Sequence, residues 1–309
     1  MKNINLCTVG YGGIAKVHLA GLHMLQTGHG SGQYHPQVKT VVSGKPNLAI
    51  PGVQKVTDQL DQALSDPEID GIDLCTPNFL HARQTKEVLI TGKSIYLEKP
   101  LANTIEEAKE LADLSNAFTG IHQCALMYRF LPSVIAARDA IRQGAIGDIL
   151  HFRFALYHKG YLDENRPMSW RLDKEQAGGG ALVDLGIHMF DTLRFLLGEA
   201  NELMAQTNIY FKERYTDSNR TEKTEATVDE WALVHLNMEN GARGTVEVSR
   251  ITSDLNEDTI IEIFGSKGSI KIHSDDFTKI RHYDHVRKVL ETYLPEPASE
   301  FAAYHQTFY

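Results

Sequence analysis

The chain has 309 residues, 42% hydrophobic and 23% charged, as an ordinary soluble globular protein has. That length exceeds what one small core needs and suits two domains. A net charge of −9, from 31 basic and 40 acidic residues, argues against a broad nucleic-acid or anionic-membrane surface. No apolar run approaches the roughly 20 residues of a membrane span. Met1-Lys-Asn-Ile-Asn-Leu-Cys7 runs straight into a strand pattern, with no signal peptide. Cys7, Cys75 and Cys124 form no Cys-x-x-Cys pair, so neither a disulfide framework nor a metal centre is expected. Cys7 and Cys75 lie in apolar runs and read as core residues. These readings point to a soluble, cytoplasmic protein.

Ile4 to Val9 reads as a strand, and Lys16 to Leu25 as a helix. Between them stands Gly10-Tyr11-Gly12-Gly13-Ile14-Ala15. Strand, glycine turn and helix are the context of a dinucleotide-binding fingerprint. Gly10 permits the tight turn, Gly12 lets backbone approach a pyrophosphate, and Ala15 takes the close-packing third place. The polar, glycine-rich segment 26–37 reads as a loop; its His29 and His35 lack partners at metal-ligand spacing. Further strands are expected at 38–42, 54–57, 71–75, 94–97 and 121–125. Helices are expected at 58–64, 81–91 and from Thr104 to about Asn116, the last opened by the capping box Thr104-Ile-Glu-Glu107. This alternation predicts a doubly wound parallel sheet. The second strand ends on Val42-Ser43-Gly44-Lys45, without the carboxylate that would hold the 2′-hydroxyl of NAD; Ser43 and Lys45 lean mildly toward NADP.

Two further segments carry chemistry. Ile95-Tyr-Leu-Glu98-Lys99-Pro100 is an apolar strand ending on a charged pair, and the carboxyl end of a parallel strand is where open sheets place ligands. Gly178-Gly-Gly180 precedes Ala181 to Gly198, which has the spacing of one helix behind a flexible triglycine. Asp184 and His188, four apart, would share a face of that helix. Downstream, strands are expected at 149–157, 202–211, 230–237, 242–249, 259–264 and 269–273, with hairpin turns at Asn240-Gly241 and Ser266-Lys-Gly268. Residues 213–227 read as a mobile hairpin or loop.

The glycine turn, Cys75-Thr76-Pro77-Asn78 with His81, the stretch from Gly92 to Pro100, and the run through Asp184 to His188 together resemble the Gfo/Idh/MocA oxidoreductase family. Tyr128-Arg129-Phe130 and Trp170-Arg171 are looser echoes, and the likeness spans roughly residues 3 to 275. The resemblance implies a Rossmann domain (1–124), then a substrate-binding and oligomerisation domain (125–309) of α/β type with a largely antiparallel open sheet. That sheet's open face implies a homodimer or homotetramer. It also implies a carboxyl-terminal helix in a continuation of a few tens of residues, whereas the sequence stops at Tyr309 as such a helix would begin.

The activity implied is hydride transfer between NAD(P) and a secondary alcohol or ketone of a sugar, inositol or related polyol. The cofactor would lie on Gly10, Tyr11, Gly12, Gly13, Ile14, Ser43, Lys45, Thr76, Pro77, Asn78, His81 and Glu98, with Lys99 near the nicotinamide. Loss of hydride from an alcohol requires a base for the hydroxyl proton, and histidine suits that role. His188 is therefore expected as general acid/base, Lys99 as electrostatic stabiliser and proton relay, and Asp184 as substrate anchor. The competing assignment makes Lys99 the proton acceptor. Tyr128, Arg129, Tyr157, Trp170 and Arg171 are expected to contact substrate, with His158 and Tyr161 close by. Arg129 and Arg171 equally suit structural clamps between domains. Two rival readings are an NAD-dependent glycosidase and a catalytically silent NAD(P)-sensing regulator; the intact set of Lys99, Asp184 and His188 disfavours the latter.

Overall fold

The computed structural model describes residues 2–27, 34–254 and 258–293. The chain divides into two compact units, one through Ala125 and a second beginning at Leu126.

The first unit alternates strand and helix: β1 (Lys2–Val9), α1 (Gly13–Thr27), β2 (Tyr34–Val42), β3 (Lys55–Thr57), α2 (Leu60–Leu64) and β4 (Gly71–Leu74). Then follow α3 (Asn78–Thr91), β5 (Ser94–Leu97), α4 (Ile105–Ala117) and β6 (His122–Cys124). All strand pairs are parallel, in the order β3-β2-β1-β4-β5-β6. The order reverses between β1 and β4, and such a switch point opens the crevice in which open α/β sheets bind ligands. Cys7, Val9, Ile72, Leu74, Ile95 and Leu97 bury one cluster with Val88 of α3; both Cys7 and Cys75 are core residues, as read from the sequence. The loop expected over 26–37 is shorter than that, because β2 already begins at Tyr34 and His35 pairs with Asn3. His29 lies outside the described residues. The capping box is present: Thr104 Oγ1 accepts from Glu107 N at 3.2 Å, and Glu107 accepts from Thr104 N at 3.3 Å.

The second unit opens with a 3-10 turn at Met127–Phe130 and α5 (Pro132–Arg142), neither expected from the sequence. After β7 (Ile149–Tyr157) come α6 (Lys174–Ala177), α7 (Ala181–Asp184) and α8 (Gly186–Leu197). The remaining strands are β8 (Ala200–Asn208), β9 (Glu213–Tyr215), β10 (Lys223–Glu225), β11 (Trp231–Met238), β12 (Arg243–Ser249), β13 (Asp258–Gly265), β14 (Gly268–His273), β15 (Ile280–Asp284) and β16 (Val289–Tyr293). Eight of these form one sheet in the order β16-β15-β14-β13-β7-β12-β11-β8, antiparallel except for the β7–β12 pair. One face carries Phe154, Val234, Val246, Ile261 and Ile270 and is buried with Val134 of α5 and Met189 and Leu193 of α8. Alternation sends Trp231, Leu233, Arg153, Glu262, Phe264 and Lys271 to the opposite, largely polar face.

Residues 213–227 contain the small β9–β10 hairpin, anchored by a buried ion pair rather than loosely tethered. Arg214 Nη2 lies 2.7 Å from Glu230 Oε1, both side chains being essentially unexposed. Two backbone N–H groups, of Tyr210 and Phe211, complete the carboxylate's hydrogen bonds at 2.9 Å. Breaking such a buried pair by removing one partner is strongly destabilising, because it leaves the other charge uncompensated.

Candidate active site

The glycine turn sits at the switch point. Gly10 has φ +91°, and a Cβ there would come within 2.6 Å of the Cys75 carbonyl oxygen, so the turns after β1 and β4 meet at a position only glycine tolerates. A Cβ on Gly12 or Gly13 would meet nothing within 4 Å, so both present bare backbone to open space at the amino end of α1. That geometry fits a pyrophosphate. Ala15 is fully buried, as close helix–sheet packing requires, while Ile14 is exposed and Tyr11 lies beneath Lys16 Nζ at 5.6 Å.

Around the same sheet end, Ser43 Oγ accepts from Lys45 N at 3.2 Å, which leaves the Lys45 side chain exposed on a tight turn. Thr76 Oγ1 donates to Gln84 Oε1 at 2.6 Å, and Pro77 and Asn78 open α3. His81 differs from its expected role. It is wholly buried, with Nδ1 2.6 Å from the Pro100 carbonyl and Nε2 2.9 Å from that of Thr76. It staples two loops together rather than offering an exposed atom to a nucleotide. Glu98 is also turned inward: one oxygen meets His18 Nε2 at 3.2 Å and the other accepts from Lys99 N at 3.1 Å. Lys99 itself is half-buried, immediately after β5, at a cis peptide bond with Pro100.

In the second unit the single helix expected over 181–198 is two helices, interrupted at Leu185-Gly186, and glycine is a poor helix former at such a junction. Asp184 closes α7, and His188 belongs to α8, its N–H donating to Leu185 O at 3.1 Å. The pair therefore does not share the face of one continuous helix. The triglycine is pinned, not flexible. Gly178 caps α6 at φ +79°, and a Cβ on Gly180 would fall 1.9 Å from the Asp229 carbonyl oxygen. Asp229 in turn accepts from Gly180 N at 3.0 Å and Leu182 N at 2.7 Å, capping α7.

Asp184 Oδ2 accepts from Arg250 Nη2 at 2.9 Å. Arg250 is almost fully buried, lies over the Tyr161 ring and also reaches the Arg171 carbonyl at 3.3 Å. His188 is 9% exposed, its ring 5.3 Å from that of Tyr128. The Tyr128 hydroxyl lies 3.1 Å from Thr259 Oγ1, so this tyrosine is core and fixes the histidine's flank. Arg129 clamps Asp191 in bidentate fashion, at 2.7 and 2.5 Å, within its own unit. Tyr157 donates to Glu247 at 2.7 Å; burial and that carboxylate push its hydroxyl well above the usual phenol range. Arg171 is exposed and stacks on Trp170 at 4.2 Å. A surface cavity of about 700 Å³ lies elsewhere, at the β9–β10 hairpin, lined by residues such as Tyr210, Phe211 and Lys223.

The sequence reading passed over His18, Asp73, Asp229 and Arg250. Two of them left a signal. His18 lies three residues after buried Ala15, on the helix face turned to the sheet. Asp73 is an acid inside a four-residue parallel strand that should be apolar on both faces.

Residues 4–120 match the oxidoreductase family with an NAD-binding Rossmann fold, and residues 134–271 match the GFO/IDH/MocA C-terminal domain. The chain belongs to the Gfo/Idh/MocA oxidoreductase family. Within it, levoglucosan dehydrogenase from Pseudarthrobacter phenanthrenivorans is 32% identical over 87% of this chain and 73% of its own length. The scyllo-inositol 2-dehydrogenase (NAD(+)) of Bacillus subtilis is 32% identical over 72% of this chain and 60% of its own. Among solved structures, levoglucosan dehydrogenase in complex with NADH and L-sorbose superposes with a TM-score of 0.91. It shares 31% identity and covers 98% of this chain and 83% of its own. Among the described residues of this Gfo/Idh/MocA protein, no helix is long and apolar enough to cross a membrane.

Proposed function

We propose that this chain is an NAD(P)-dependent dehydrogenase or reductase acting on a secondary alcohol or ketone of a sugar, inositol or related polyol. The observation that carries the reading is a Rossmann nucleotide turn at a sheet switch point with Lys99 at the carboxyl end of β5 in the same sheet. Relatives named for levoglucosan and scyllo-inositol support the substrate class. Gly10, Gly12 and Gly13 would hold the cofactor's pyrophosphate at α1, and the bound nicotinamide supplies the hydride acceptor or donor.

The chain's own residues handle the proton and the hydroxyls. His188 takes the hydroxyl proton on oxidation and returns it on reduction. Lys99 stabilises charge on the same oxygen and relays its proton. Asp184, oriented by Arg250, grips a neighbouring hydroxyl. The absence of a carboxylate among residues 42–47, beside exposed Lys45, leans the reading toward NADP(H); the NADH in related complexes leans the other way. We further assign cofactor binding to the first unit and substrate binding to the second, in a cytoplasmic homodimer or homotetramer built on the open sheet face.

The test is turnover of a sugar and polyol panel with NAD and NADP. Lys99→Ala and His188→Ala should each lower kcat by about 10²-fold or more while cofactor Kd stays nearly constant. Near-normal turnover in both variants sinks the assignment. A Leu233→Glu substitution on the open face should lower the mass seen by sedimentation velocity while the circular dichroism spectrum is retained. An unchanged mass rejects that face as the contact.

A further inference from the structure

His18, on the second turn of α1, engages one residue on a strand of the nucleotide sheet and another just past a second strand. Its Nδ1 lies 2.9 Å from Asp73 Oδ1 on β4, and its Nε2 lies 3.2 Å from Glu98 Oε1, just past β5. The imidazole is 15% exposed, and the two carboxylates are 6% and 12% exposed. Cys75 Sγ stands 3.3 Å from Nδ1, Thr8 Oγ1 donates to Asp73 Oδ2 at 3.2 Å, and the Tyr96 ring tilts against the imidazole at 5.4 Å. Each ring nitrogen faces a carboxylate oxygen; an ionised carboxylate only accepts, so satisfying both calls for the imidazolium form. Burial alone pulls the ring toward neutrality; hydrogen bonds with Asp73, Cys75 and Glu98 outweigh it and hold His18 up to about 12.

The second oxygen of Glu98 accepts from the backbone N–H of Lys99 at 3.1 Å. Contacts therefore run unbroken from β4 through His18 and Glu98 to the main chain of Lys99. We propose that His18 is a positioning residue for Lys99: a buried cation that neutralises Glu98 and ties the turn after β5 to α1 and β4. This inference rests on the reading of Lys99 given above. A buried carboxylate stripped of its cation seeks another, and the cationic residue next to Glu98 in the chain is Lys99. Without His18 the Lys99 ammonium would be drawn toward Glu98 and away from the reacting oxygen, a displacement that costs rate more than cofactor affinity.

Charge rescue tests the idea. Wild type, His18→Gln, Glu98→Gln and the double variant are compared for kcat with the best polyol found, and for NADH and NADPH Kd by fluorescence. His18→Gln should lower kcat by about tenfold or more with Kd changed less than about threefold. Removing the Glu98 charge as well should recover most of that loss, a non-additivity that a purely structural role would not produce. Additive losses, or a Kd that worsens as much as kcat, overturn the proposal. If His18→Gln does not fold, Asp73→Asn still reads the link, because it leaves the ring neutral and Glu98 without its cation: its kcat should fall with Kd retained, and unchanged kcat overturns the proposal.

Failure of the dehydrogenase reading is recognised separately, as no turnover by wild type with either nucleotide. The clamp is then read from the ¹⁵N shifts of the His18 ring. A cationic ring at about pH 9 in wild type, neutral in Asp73→Asn, supports it; a neutral ring in wild type overturns it. One further outcome also overturns it. His18 Nδ1, Asp73 Oδ1 and Cys75 Sγ all lie within 4.8 Å of one another. Stoichiometric zinc uptake that Asp73→Asn abolishes would make the cluster a metal site instead.

Discussion

At Gly10 the left-handed backbone and the nearby Cys75 carbonyl act on one residue, whereas Gly12, two positions on, has open space where a side chain would be. The same Gly→Ala change should therefore have opposite consequences at the two sites. Gly10→Ala forces a methyl group against backbone in a conformation that disfavours it. It should destabilise the first unit by about 2–4 kcal/mol in urea unfolding. Gly12→Ala should shift unfolding by less than about 1 kcal/mol yet weaken NADH or NADPH binding at least about tenfold, since the methyl group occupies the approach to the pyrophosphate. Equal effects on stability would reject this division of labour. The glycines, Lys99, Asp184 and His188 were all legible as candidate residues. Their partners were not: Arg250 stands 66 residues from Asp184, and no spacing rule connects them.

Elements with local causes matched their expected places closely. β5 and β7 coincide with the strands read from the sequence, because apolar runs bounded by turn residues leave little choice. α4 begins where its capping box is written. Thr104→Ala removes one of two reciprocal hydrogen bonds there and should cost about 1 kcal/mol, with faster amide exchange confined to the first turn of α4. Unchanged exchange at residues 105–107 would show that the cap contributes nothing. The split between α7 and α8 was not legible. Periodicity runs through Leu185 without a break, and Asp229, a residue from outside the helical segment, fixes where α7 starts by accepting from the N–H groups of Gly180 and Leu182. α5 carried its own local signal, Pro132 at the first position and apolar residues at helical spacing, which the sequence reading passed over; burial of Val134, Ile135 and Ala137 holds it in place.

For the molecule as a whole, the buried cation predicts a pH dependence. His18 is raised from an ordinary 6.5 to about 12 in the folded state. Its contribution to stability is therefore complete below about 6.5 and is lost progressively as pH rises toward about 12. Above 9.0 two buried thiols add to the same slope, since burial first, and Asp73 in part, pushes Cys7 up to about 12 and Cys75 to about 11. Urea midpoints for the first unit should fall steadily between pH 7 and pH 10 in wild type, and the fall should be shallower in His18→Gln. A parallel fall in both proteins would place the effect elsewhere.

From the sequence alone came the class of fold, the nucleotide turn, the family resemblance and the residues to suspect. Each of these is written in short stretches, where the conformational limits of glycine, the capping box and the period of apolar residues act within a few positions. Only the tertiary structure decided which of those residues are held by what. It turned His81 and Glu98 inward, pinned the triglycine against Asp229 and set Arg250 on Asp184. It also brought His18 onto Glu98, 80 residues away. The physical reason is burial. A polar group removed from water must find a partner, and which partner lies within reach is decided by packing, not by position along the chain.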